Sequence, residues 1–349
     1  MKNTDWLGKG GQISRLAAVV FAAATVMAGA AVADTLETVT KRDVLKCGVS
    51  GGLPGFSSPD AKGVWRGIDA DFCRALAAAV LGDAGKVSFR SLSAKQRFTA
   101  LQFNEIDVLS RNSTWTLRRD AALGLNFAGV IYYDGQGFMA RKADGVKRLK
   151  DLNGAAICVN TGTTTELNLG DYFRTNKLKY TPVVFEKYDE VIAAYEKGRC
   201  DAFTTDLSGL AAQRIKLKKP EAHVLLPEVI SKEPLGPVVR QGDDKWFNIV
   251  KWTLFALINA EELGVTSKNV GSLAKTSRNA KVRRLLGAEG QGGEQLGLSA
   301  DWAVKAIAAV GNYGELFERH LGKTSRLKLD RGLNRLWTQG GLMYAPPVR

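Results

Sequence analysis

Histidine is nearly absent: His223 and His320 are the only two in 349 residues, so general acid–base chemistry would have to rest on Asp or Glu. Cysteine is sparse as well, at Cys47, Cys73, Cys158 and Cys200. No cysteine precedes Cys47, which argues against a lipid-attachment site, and no CxxC spacing points to metal or redox work. Beyond the first 33 residues no run is apolar enough to span a bilayer, which disfavours a receptor's sensor domain tethered by a later span. Acidic residues are also short, 35 against 49 Lys and Arg, for a formal charge of +14. The basic residues are scattered, with short clusters such as Lys216 to Lys219 and no nucleic-acid motif beside them, so the excess is read as solubility near an acidic envelope surface. No internal repeat occurs at solenoid periods.

What is present begins with a leader. Lys2, Lys9 and Arg15 make a basic start, Leu16 to Val32 is uncharged and Ala/Val-rich, and Ala31-Val32-Ala33 offers the small residues of an export cleavage site. The expectation is a signal peptide over residues 1–33, cleaved after Ala33, and a periplasmic product. The alternative, a membrane anchor, is short for a span of roughly 20 residues and dominated by Ala. About 316 residues remain, enough for two domains. An even cysteine count in an exported chain favours disulfides over buried thiols.

Val44-Leu45-Lys46-Cys47-Gly48-Val49 reads as a buried strand, and Asp69 to Leu81 as an amphipathic helix with Phe72, Leu76, Ala79 and Val80 on one side. Val87–Phe89, a helix over Arg97–Phe103 and a strand at Ile106–Leu109 continue an alternation that implies a parallel sheet. The pattern restarts with strand Ala155–Val159, helix Thr164–Thr175, strand Val183–Phe185, helix Asp189–Lys197 and strand Asp201–Phe203. Two glycine-punctuated apolar stretches, Val130–Met139 and Glu233–Val239, read as crossovers between two lobes. Trp246–Leu263 reads as a long helix returning to lobe one. Further on, Gly287–Gly297 reads as an exposed loop, Trp302–Val310 and Leu316–Leu321 as helices, and Ala345-Pro346-Pro347 as a cap.

Three polar segments fall at the carboxyl ends of these strands, where open α/β sheets bind ligands. They are Ile106–Arg119, passing from the end of the third strand into a polar loop, Asn160–Glu166 joining a strand to a helix, and Arg199–Asp206, a strand ending in a carboxylate. A free α-amino acid needs a guanidinium for its carboxylate and an anion for its ammonium, and these segments supply both. Singly, the Ser, Thr and Asp residues also read as plain helix caps.

The order of the segments resembles the polar-amino-acid family of periplasmic binding proteins over nearly all of residues 34–265. Asn112–Leu117, Thr161–Asn168, Ile230–Pro237 and Met343–Pro347 look like its general L-amino-acid subfamily, a likeness that extends into the C-terminal extension. The resemblance implies that Arg119 grips the carboxylate, helped by the hydroxyl and N–H of Thr114 and the N–H of Thr164. It implies that Asp206 and the carbonyl of Asn112 hold the ammonium, and that Gly162 and Thr163 shape the turn aiming the next helix at the ligand. Near the first strand this chain has Ser50, Leu53 and Phe56 where basic-amino-acid binders carry an acid and a stacking aromatic. Arg97 falls where acid-specific relatives place an Arg against the ligand side chain; it reads equally as a solvated helix residue.

The expected fold is therefore α/β, two-lobed and type II-like, each lobe a mostly parallel sheet flanked by helices and joined by two crossovers. The expected division is 34–135 for the first part of lobe one, 136–235 for lobe two, and 236–349 for the return with a helical extension. The expected function is capture of L-amino acids by lobe closure, with delivery to an inner-membrane ABC-transporter permease, as a monomer, without cofactor, metal or nucleic acid. The alternative is a dehydratase- or lyase-like enzyme on the same fold. Four cysteines allow three pairings. The fold selects Cys47–Cys73 and Cys158–Cys200, because either crossed pairing would staple the lobes across the cleft.

Overall fold

The computed structural model describes residues 34–349. The expected leader lies outside them. The described residues open with α1 (Thr35–Arg42), a short amphipathic helix that buries Leu36 and Val39 and is set by its caps: Asp34 accepts from the Glu37 N–H at 3.1 Å, and Asp43 closes the helix at φ 57°. Next come β1 (Leu45–Val49), a small hairpin of β2 (Ser58–Pro59) and β3 (Trp65–Arg66), α2 (Ile68–Leu81), β4 (Val87–Ser91), α3 (Arg97–Gln102), β5 (Val108–Leu109), α4 (Leu117–Ala121) and β6 (Leu125–Phe127). Then β7 (Tyr132–Asp134) runs through Gly135 into β8 (Gln136–Arg141), followed by β9 (Ala155–Asn160), α5 (Thr164–Thr175), β10 (Tyr180–Phe185), α6 (Tyr188–Glu196), β11 (Ala202–Asp206), α7 (Leu207–Arg214) and β12 (His223–Leu225). The chain returns through β13 (Glu233–Leu235) and β14 (Val238–Arg240) into α8 (Asp244–Glu262).

Two five-stranded sheets result, in the orders β4-β1-β5-β14-β6 and β10-β9-β11-β8-β12. The strands are parallel except where β14 and β8 enter, each antiparallel to both its neighbours. Their direction follows from topology. A chain arriving from the other lobe enters at the carboxyl ends of the parallel strands and must run against them. The stretches expected as crossovers thus continue without a break into interior strands, and between the lobes β7 and β13 pair antiparallel with Glu233 opposite Asp134. Gly236 is required here, since a Cβ would lie 1.9 Å from the Gly129 carbonyl.

Lobe one buries Phe72 and Leu76 of α2 against Leu254 and Leu257 of α8. Residues beyond α8 add α9 (Val270–Thr276), α10 (Ala280–Leu285), α11 (Gly292–Leu296), α12 (Trp302–Val310) and α13 (Tyr313–His320). Helix α12 packs on α2 and α8, and Ile307 and Phe317 are fully buried in the same core. The segment expected as a loop over Gly287–Gly297 holds α11, one turn and a half closed by Gly297 at φ 69°. Lobe two packs Tyr195 and Phe203 on one face of its sheet and Phe138 and Phe173 on the other. Cys47 pairs with Cys73, Cα atoms 6.3 Å apart, and Cys158 with Cys200, 5.6 Å apart; Cys200 lies just before β11 rather than on it. Among the described residues no helix is long and apolar enough to cross a membrane.

Candidate functional site

The loop after β5 is fixed from three sides. Asp69, buried at the start of α2, accepts from Ser110 Oγ at 3.0 Å and from the Asn112 N–H at 2.9 Å. Burial pushes its carboxyl up to about 6. Strand β13 receives the Trp115 N–H on the Pro234 carbonyl at 2.8 Å, and Gly236 just after it donates its N–H to the Ser113 carbonyl at 3.0 Å. Asn112 sits at φ 31°, a left-handed conformation that Asn tolerates better than most residues. Across the cleft, Thr163 caps α5 by accepting the Glu166 N–H at 3.0 Å, and Gly162, at φ 73°, sends its own N–H to Glu166 Oε2 at 2.9 Å. The lobes touch here: a Cβ on Gly162 would lie 3.1 Å from the Lys95 Cα of lobe one.

Asn112, Thr114, Thr163, Thr164, Asp206 and Arg97 line one narrow cavity of about 20 Å³ between the lobes, with Arg111, Tyr188, Asn160, Thr165, Thr205, Glu186 and Ala94. Three expected residues stand apart from the lining. Arg119 lies behind the loop, donating from Nη1 to the Thr114 carbonyl at 2.9 Å, with its guanidinium 5.1 Å from the Phe98 ring. Gly162 faces Lys95. Phe56 is fully buried in the lobe-one core, edge-on to Tyr132 at 5.4 Å, because the turn carrying it tucks beneath α2 and not into the cleft. The Thr114 hydroxyl also differs from the expectation: it donates to Glu233 Oε2 at 2.6 Å, so its single proton is committed within the protein.

Arg97 is 3% exposed, not solvated. Its Nη1 reaches Ser113 Oγ at 3.3 Å and the Arg111 carbonyl at 3.5 Å, and its Nε is buried with no partner. Burial, then the charges of Arg119 and Arg111, push its guanidinium well down. Arg111 is held by the Leu92 carbonyl at 2.8 Å. Against these three cations stand Asp206, Asp134 and Glu233. Burial first, then the charges of Asp134 and Glu233, hold the Asp206 carboxyl well above the usual range, opposed by a hydrogen bond with Asn112. Arg97, Arg111 and Asp206 face one space, with Arg119, Asp134 and Glu233 set behind its lining. His223 bonds Tyr195 and His320 bonds Asp71, both away from the cavity. Among the described residues no group of three or more His, Cys, Asp or Glu could hold a metal ion.

Residues 45–270 match the bacterial extracellular solute-binding proteins, family 3. The chain belongs to that family. It is 59% identical to the general L-amino acid-binding periplasmic protein AapJ of Rhizobium johnstonii, over 95% of this chain and 98% of that one. It is 53% identical to the glutamate/glutamine/aspartate/asparagine-binding protein BztA of Rhodobacter capsulatus, over 94% and 97%. A Brucella ovis ABC transporter/periplasmic binding protein solved with glutathione bound is 56% identical, with a TM-score of 0.89, covering 91% of this chain and all of that one.

Within this family 3 solute-binding protein, residues beyond 270 lie outside the shared region yet reach its hinge. Asn334 accepts the Tyr133 N–H at 2.7 Å and donates to the Tyr133 carbonyl at 3.1 Å, as a neighbouring strand would. Tyr313 donates to the Ile131 carbonyl at 2.9 Å. Arg331 pairs with Glu261 and lies over the Tyr313 and Phe317 rings. Arg111, Asp134, Tyr188 and Glu233 had not been singled out as site residues. A carboxylate in each apolar crossover, Asp134 and Glu233, was the available signal.

Proposed function

We propose that this protein captures free L-amino acids of several side-chain classes in the periplasm and presents them, lobes closed, to an ABC-transporter permease. The supporting observation is the cavity itself, where Arg97 and Arg111 of lobe one face Asp206 of lobe two. Arg119, which holds the Thr114 carbonyl through Nη1 from behind the loop, takes the ligand carboxylate with its remaining N–H groups and the N–H groups of Thr114 and Thr164, while Asp206 and the Asn112 carbonyl take the ammonium. Gly162 and Thr163 hold α5 in position, and Arg97, with an unpartnered Nε, meets acidic or amide side chains. A bound ammonium offsets the cost that burial and two neighbouring carboxylates impose on Asp206. The chain acts as a monomer, after cleavage of residues 1–33, with lobes divided near residues 135 and 235, and carries out no covalent step.

A second cavity of about 480 Å³ shares Arg111, Glu186 and Tyr188 with the first and opens past Ser50 and Gly52. It favours room for extended ligands with an amino-acid head, and glutathione belongs in the ligand panel. Calorimetry against the twenty amino acids and glutathione tests the proposal. Micromolar or tighter binding of several amino acids supports it, and no binding of any removes it. Mass spectrometry of the same mixtures, returning a converted product, would favour an enzyme.

A further inference from the structure

We infer that Glu233 is a positioning residue for capture: a carboxylate on the hinge strand that fastens the two lobes to each other in the closed state. Its Oε2 accepts from the hydroxyls of Thr114 at 2.6 Å and Thr164 at 2.8 Å, one from each lobe. Its Oε1 accepts from Asn168 Nδ2 at 2.9 Å and from Ser231 Oγ at 2.6 Å. Glu233 itself is 1% exposed, its bond to Thr114 is buried and the other three are partly buried, so the carboxylate draws its hydrogen bonds from protein. Two further features mark its surroundings. The carboxylate meets the first turns of α5, a twelve-residue helix whose N-terminus carries partial positive charge, and the charge of Glu233 acts on Arg119. Thr114 belongs to lobe one and Thr164 and Asn168 to lobe two, so opening the cleft breaks the set while the short Ser231 contact stays within the hinge.

This inference rests on the cleft reading above and adds to it a division of labour. The hydroxyls of Thr114 and Thr164 serve closure, leaving their backbone N–H groups for ligand. A ligand therefore completes a latch whose other half the protein carries. Glu233 does not line the cavity, so it acts through the two threonines.

The test uses the full mature chain, labelled with one fluorophore on each lobe, and stopped-flow binding of glutamine. Glu233→Ala is expected to raise the dissociation rate about tenfold or more, leave the association rate within about threefold, and lower the closed fraction seen by energy transfer without ligand. Thr164→Val, which keeps the N–H, should do the same, and the double variant should add little to either single one. Glu233→Gln, retaining one acceptor oxygen, should fall between. If Glu233→Ala is poorly folded, Thr164→Val and Asn168→Ala carry the test alone. Unchanged dissociation in the folded variants overturns the inference. Tighter binding by Glu233→Ala overturns it too, since the carboxylate would then be competing with ligand. If the wild type binds no amino acid, the proposed function fails, and the ligand-free energy transfer still decides the latch.

Discussion

Replacing Arg97 by Met should make the ligand-free protein more stable and a poorer receptor for acidic ligands. Arg97 is a buried cation with two long hydrogen bonds, one unpartnered nitrogen and two guanidinium neighbours, Arg111 and Arg119. Exchanging buried charge for a hydrophobe of similar volume typically stabilises by about 1–4 kcal/mol. Loss of the stacking of its guanidinium on Phe98, 4.8 Å away, removes about 0.5–2 kcal/mol of that. The balance is about 1–2 kcal/mol, or roughly 2–4 °C in Tm for a chain of this size. Binding should move the other way. Glutamate loses a charge-assisted partner, about 2–5 kcal/mol or roughly thirty-fold to several-thousand-fold in Kd, while alanine, which does not reach Arg97, stays within about threefold. Thermal scans of the ligand-free variant and calorimetry with both amino acids read the two effects. A lowered Tm refutes the account of Arg97 as an uncompensated charge, and equal losses for glutamate and alanine refute its role as a side-chain reader.

Arg119→Ala should weaken every α-amino acid, by about thirty-fold or more, because the carboxylate partner is common to all; a folded variant binding glutamine or leucine within threefold sinks the assignment. Ammonium binding should release up to about one proton from the Asp206 neighbourhood, so affinity rises as pH rises toward the elevated value and falls below it. Calorimetry in two buffers of different ionisation enthalpy reads that proton, and identical heats contradict it. Asp69 and Asp134, both held near 6 when folded against 3.8 ordinarily, contribute stability that is full below about pH 4 and lost as pH rises through about 6. Thermal scans of ligand-free Asp69→Asn across pH 4–7 should show a weaker decline than wild type, and an unchanged slope counts against it. Reducing either disulfide should cost about 3–4 kcal/mol by loop entropy, for separations of 26 and 42 residues. Unreduced peptide maps should link residues 47 with 73 and 158 with 200 and show no crossed peptide.

Helices with a strong apolar period were legible from sequence, and α5 and α12 carry the expected boundaries, Thr164–Thr175 and Trp302–Val310. The interior strands β8 and β14 were not. Periodicity marks Val130–Met139 and Glu233–Val239 as apolar, but the direction in which a strand joins a sheet is a property of topology. In the site, the three polar segments were legible because a parallel sheet sends its carboxyl ends to one edge, whereas Asn112, Thr114, Thr164 and Asp206 were singled out within them by the family resemblance. Glu233 escaped because its partners lie 69 and 119 residues away, and a single carboxylate before a proline carries no local signature. Phe56 was misplaced for the converse reason. Nearness in sequence to a strand end does not say which way a turn folds.

The crossovers also set an order of assembly. Lobe two, from β8 to β12, is one unbroken stretch of chain, whereas the lobe-one sheet lacks β14 until residue 240 has been made. As the chain emerges from N to C terminus, lobe two can therefore close its core while lobe one still waits for its fifth strand, β14, and for α8. Both disulfides join cysteines that are consecutive in the chain. An oxidant that pairs thiols in the order they emerge makes the native bonds directly, with no shuffling step between the two lobes.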